Sequence, residues 1–159
     1  ESKILNATGQ SIYSKGFMEN VVCLLTGDII SNIAQNDPTI MKFGESLYNE
    51  DPRPHLQKHT RQKMRQCARL LKCSQEYDTK LKSISELIMP TRFDFLVEQV
   101  KKLCGFNANN ASFEIAGLPL KLGQLFHSTE LNVTLVPCLA VGVLGGRHGR
   151  LELVEYLAG

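Results

Sequence analysis

Five cations, Lys58, Arg61, Arg65, Arg69 and Lys72, recur at intervals of three and four in a stretch that contains no acid. Arginine can fork two hydrogen bonds onto a phosphate, and lysine offers the same group a point charge. On a helical wheel with Leu56 at zero, the five fall between about 140° and 220°. Leu56, Thr60, Met64, Cys67 and Leu71 fall between about 0° and 80°. One side of such a helix is a cationic stripe and the other can enter a core. Like charges at i,i+4 repel by about 0.2–0.5 kcal/mol per pair. No acid within the helix relieves that repulsion, so the stripe reads either as a solvated helix face or as a surface for an outside polyanion, with phosphate-backbone contact the expected mode of the latter. A membrane-surface role fits less well, because Met64, Cys67 and Ala68 lack the large aromatics of an inserting face.

Other chemistry is weakly represented. His55 and His59 stand four apart, the spacing at which two imidazoles can share a metal. They lack the glutamate of a His-Glu-x-x-His arrangement, and only Cys67 or Cys73 could supply a third ligand. Two surface histidines beside the stripe, with no metal and no cofactor, are expected instead. His127 and His148 have no partner pattern. There is no P-loop, Rossmann glycine set, nucleophile elbow or paired-carboxylate motif, and Gly145-Gly146 fits no phosphate cradle. Catalysis is not expected.

The stripe dominates the charge of the chain. Residues 1–52 hold three Lys/Arg against seven Asp/Glu, residues 53–82 nine against two, and residues 83–159 six against seven. The net charge of +2 therefore hides an excess of +7 confined to one segment. Hydrophobic residues make up 43% and charged residues 21% of 159, which is globular rather than disordered composition. Aromatics are 7% with no Trp, so the core must be mainly aliphatic. The longest apolar stretch, Leu135 to Gly146, is interrupted by Pro137 and is too short to span a bilayer. Five cysteines (Cys23, Cys67, Cys73, Cys104, Cys138) without a Cys-x-x-Cys pair argue for reduced, mostly buried thiols. The chain opens Glu1-Ser2-Lys3 with neither an initiator Met nor a secretory signal, as a fragment or processed product would. A nuclear or cytoplasmic setting is expected, so the sequon Asn132-Val133-Thr134 reads as a chance match.

The elements that must position the stripe read as short helices. Phe17 to Leu25 has apolar residues at helical spacing and is broken by Thr26-Gly27. Asp28 to Gln35 follows, with Ile29, Ile30 and Ile33 expected inward. Asp37-Pro38 predicts a helix start, Asp as N-cap and Pro where its missing N–H costs nothing. That helix should bury Ile40, Met41, Phe43, Leu47 and Tyr48, and end before Pro52 and Pro54. Leu56 to Lys72 is the longest predicted helix. Ser83 to Ile88 is a short one, and Thr91 with Asp94 predicts a capping box for a helix stopped by Gly105. Leu118 to Phe126 would be a last short helix. The expected fold is all-α: a small bundle of about six short helices over residues 1–126. Residues 127–159 form a tail that could be a hairpin, a docked extension or poorly ordered.

Several segments together resemble a family of mobile-element proteins abundant in fishes and marine invertebrates. In that family a helical region precedes a divergent tyrosine-recombinase-like domain of the Crypton type. The matching stretches are Asp37-Pro38-Thr39-Ile40-Met41-Lys42-Phe43-Gly44, Gln62-Lys63-Met64-Arg65 and Ala68-Arg69-Leu70-Leu71. Further on come Phe93, Val97-Glu98-Gln99-Val100-Lys101-Lys102-Leu103-Cys104-Gly105-Phe106 and Leu120-Lys121-Leu122-Gly123. The resemblance covers about residues 17–126 and rests on their order. It implies the helical core-binding part of a recombinase, which clamps DNA while a separate domain cuts. The zinc-finger-like Cys/His segments found upstream in the family are missing here. So is the Arg…His-x-x-Arg…Tyr constellation, for Arg147, His148, Arg150 and Tyr156 are spaced too tightly to form it. The expectation is a non-catalytic helical DNA-binding module, with Lys58, Arg61, Arg65, Arg69 and Lys72 on the phosphates. The alternative is a protein-interaction module whose basic helix docks an acidic partner.

Overall fold

Aspartate and proline at helix starts divide the first half of the chain into separate helices. The computed structural model describes residues 11–107, 109 and 112–114, and these fall into two compact units divided after Lys72. The predicted helix at Leu118–Phe126, the tail beyond it, Cys138 and the two later histidines lie outside the described residues. The fold class is all-α, as expected, with six α-helices among the described residues.

In the first unit α1 spans Lys15–Asn20 and is followed by a 3₁₀ turn, Val22–Leu24. Helix α2 spans Ile29–Asn36, capped by Asp28, whose carboxylate accepts from the Ser31 amide at 2.8 Å. Helix α3 spans Pro38–Glu50. Asp37 caps it by accepting from the amides of Thr39 and Ile40 at 2.9 and 3.1 Å. Asp37 is itself buried, so its lost bonds could not be replaced freely by water. Replacing it with Ala is expected to lower unfolding free energy by about 1–2 kcal/mol, with Asp37→Ser close to the parent, as read by urea denaturation.

Helix α4 spans Pro54–Gln75, longer at both ends than the sequence pattern. Pro54 is tolerated because it stands in the first turn, where no amide is needed. Met64, Cys67, Ala68, Leu70 and Leu71 are buried, and Thr60 is turned inward with its hydroxyl donating to the Leu56 carbonyl at 3.3 Å. Gly44 lets α3 approach α4 closely: a Cβ there would meet the fully buried Met64 side chain, with Cγ and Cε each 3.0 Å away. Phe17 is fully buried between Tyr13 and Tyr48, each ring centroid 6.2 Å from its own.

Helix α2 departs from expectation. Ile29 is 65% exposed, while Ser31 and Ala34 are the fully buried positions of α2. Leu24 of the 3₁₀ turn is also exposed. Helix α2 is thus turned to admit small side chains, and Ser31 enters the interior because Arg65 of α4 meets its hydroxyl there.

In the second unit α5 is the single turn Ile84–Leu87, and α6 spans Phe93–Leu103 after a 3₁₀ turn, Pro90–Arg92. Thr91 does not cap α6. The 3₁₀ turn absorbs it, and Arg92 stands at the N-cap with no side-chain bond to the helix. Leu96, Val97, Val100 and Cys104 are buried at the expected spacing. Gly105 ends the helix at φ 64, the left-handed conformation glycine permits. Phe106–Asn107 (β1) pairs antiparallel with Ser112–Phe113 (β2), a small addition to a helical fold.

Candidate nucleic-acid interface

Helix α4 carries six Lys/Arg and no acid. Lys63 lies off the stripe and is half-buried, and the fold separates the other five by exposure and partner. Lys58 and Arg69 are exposed, together with His55, His59 and Gln62. These five occupy an arc of roughly 200–300° on the same wheel, across from the buried positions. Lys58 and Arg69 lie about 16 Å apart along the axis, at 1.5 Å per residue. That separation exceeds the roughly 12 Å width of a major groove, so the two can meet phosphates on opposite walls. Lys72 is half-buried in the last turn, where a cation complements the helix dipole.

The remaining two members of the stripe are engaged within the first unit. Arg61 donates from Nη1 to the Asn20 carbonyl at the end of α1, at 3.1 Å. Arg65 forks onto Asp28, Nη1 to Oδ1 at 2.8 Å and Nη2 to Oδ2 at 2.6 Å. Its Nη1 also meets the hydroxyls of Thr26 at 2.9 Å and Ser31 at 2.5 Å. The premise that no acid relieves the stripe therefore holds for α4 alone; the cap residue of α2 supplies one from outside. A change that empties the whole stripe would also cut these contacts, so it cannot leave stability untouched.

Electrostatics follow the same geometry. Hydrogen bonds from Arg65, then from the Ser31 amide, hold the Asp28 carboxyl well below the ordinary aspartate range. Its contribution to stability is complete above that range and fades only as pH falls below it. Asp28 thus stays ionised through neutral and mildly acid pH. Asp51 is pulled down to about 2, chiefly by its hydrogen bonds from Arg53. Arg53, the cation just before α4, is exposed and paired with Asp51.

No described group of three or more His, Cys, Asp or Glu side chains could hold a metal, and His55 and His59 are both exposed. No described helix is long and apolar enough to cross a membrane. Comparison with protein-family models, curated proteins and solved structures found no match. The case for the site therefore rests on its own geometry.

Two cysteines stand on α4: Cys67 faces the core, and half-buried Cys73 falls at about 260° on the wheel, with its thiol donating to the Gln99 side-chain oxygen at 3.8 Å. Burial raises the Cys67 thiol far above its ordinary range on the core side of α4, and pushes Cys104 up to about 11. Cys23 is exposed, against the expectation of mostly buried thiols, but it stands in the 3₁₀ turn after α1 and not on the arc.

Gln62 is the residue of the arc that charge counting passes over, since it is neutral. Charge counting along α4 also passes over Thr26, Asp28 and Ser31 as partners of the stripe. The Asp28 cap signal is visible in the sequence, but its second role depends on a residue thirty-seven positions later.

Proposed function

We infer that this chain is a non-catalytic helical module that binds nucleic acid through its phosphates. The reading agrees with the core-binding region of Crypton-type recombinases that the sequence resembles. The observation that supports it is the exposed arc of α4, where Lys58, Gln62, Arg69 and two histidines stand on a 22-residue helix without a single acid. Solvated helix faces ordinarily mix signs, which offsets i,i+4 repulsion. Here the acids are excluded from the whole helix, and the carboxylate that meets Arg65 comes from the cap of α2. Such a surface favours a polyanion without distinguishing bases, so binding is expected to be weakly dependent on sequence.

The test is a fluorescence polarisation titration of the chain with random duplex DNA over a series of salt concentrations, with poly-glutamate as competitor. Contact with two to three phosphates should give a log–log salt slope between about −2 and −3. DNA should outcompete poly-glutamate at equal charge. No binding at low salt would overturn the reading, and preference for poly-glutamate would transfer the arc to an acidic protein partner.

A further inference from the structure

The Arg65 contact suggests how the same surface is regulated, provided that the nucleic-acid reading holds. We propose that Asp28 is an intramolecular stand-in for phosphate, holding Arg65 off nucleic acid until a backbone phosphate displaces it. Three observations converge on this. The arrangement is a two-pronged fork, and a guanidinium offers a phosphate the same pair of parallel donors that it offers a carboxylate. The pair is open to solvent, with the Asp28 side chain 46% and the Arg65 side chain 21% exposed, so a ligand can reach it. Finally, Arg65 lies at about 180° on the wheel, beside the arc that begins with Lys58 at about 200° and Arg69 at about 220°. A polyanion seated on the arc would bring phosphates alongside the fork.

Asp28 is suited to letting go because it has a second task. Its Oδ1 accepts from the Ser31 amide and keeps α2 capped whether or not Arg65 is present. Thr26 and Ser31 hydroxyls lie 3.4 Å apart and retain each other as partners when the guanidinium leaves. Arg61 is different: its partner is the neutral carbonyl of Asn20, so no charge competes with a phosphate for it.

The experiment is a cycle of Asp28→Asn, Arg65→Ala and the double variant, each titrated with random duplex DNA across salt. Asparagine caps helices as well as aspartate, so Asp28→Asn should keep α2 capped and the fold intact, losing only the partly exposed ion pair. Should a melt show otherwise, Asp28→Ser, which also caps, replaces it. The freed Arg65 should steepen the salt slope by about 0.9 and raise affinity severalfold at low salt. In the double variant that gain should disappear. A parent that binds DNA while Asp28→Asn binds identically would overturn the latch and leave the arc intact. A gain that survives in the double variant would also overturn it, because loss of a nearby negative charge would then be the whole effect. Binding by Asp28→Asn but not by the parent would support the latch in its strongest form. If neither binds, both the latch and the nucleic-acid reading fall.

Discussion

Replacing Phe17 with Ala is expected to remove about 3–5 kcal/mol of unfolding free energy, more than the loss of a helix cap. Phe17 is fully buried in the first unit. It meets Tyr13 edge-on at an interplanar angle of 64° and Tyr48 at 51°. Aromatic pairs of this kind contribute about 0.5–1.5 kcal/mol each beyond the area they bury. The Tyr48 hydroxyl accepts from Asn20, the residue whose carbonyl receives Arg61. Loss of the ring therefore loosens the end of α1 that steadies the stripe. Against a total stability of about 5–15 kcal/mol for a typical domain, a cost of this size is severe. Urea denaturation followed by far-ultraviolet circular dichroism measures it, since the chain has no Trp to report by fluorescence. Phe17→Leu keeps most of the apolar volume and should lose less. A loss below about 1 kcal/mol for Phe17→Ala would mean that the cluster around α1 does not hold the unit together.

Local chemistry made much of this fold legible. Asp37-Pro38 marked the start of α3, the absence of acid and the apolar spacing marked α4, and Gly105 marked the end of α6. In each case the signal lies within a few residues of its effect. What escaped was set by partners distant in sequence. The pattern of Ile29, Ile30 and Ile33 pointed one face of α2 inward, yet the helix buries Ser31 and Ala34. Apolar spacing cannot register that Arg65 reaches Ser31 and Asp28 from another helix. Thr91 and Asp94 had the spacing of a capping box, but Pro90 opens a 3₁₀ turn that takes Thr91 into itself.

The candidate site shows the same division. The wheel placed Lys58, Arg61, Arg65, Arg69 and Lys72 on one stripe, and α4 is helical throughout that stretch. The wheel could not show which of the five face solvent. Arg61 and Arg65 turn toward the end of α1 and the start of α2, because a carbonyl and a carboxylate await them there. Lys58 and Arg69 remain exposed, and the proposed phosphate contacts rest on them.

The second large effect is therefore expected from reversing those two charges. Glutamate has nearly the helix propensity of lysine and arginine, so Lys58→Glu with Arg69→Glu should leave α4 formed. Neither side chain is buried, and neither belongs to the contacts that hold Arg61 and Arg65. Two phosphate contacts would be lost and two repulsive charges placed on the arc. Salt-dependent polarisation titration of parent and double variant with random duplex DNA is the most direct test of the phosphate-binding surface. The parent is expected to bind with a steep salt slope. The double variant should fold normally but bind at least about tenfold more weakly at low salt, its slope shallower by about two. A folded double variant that binds duplex DNA with the affinity and slope of the parent would contradict a phosphate-binding role for α4.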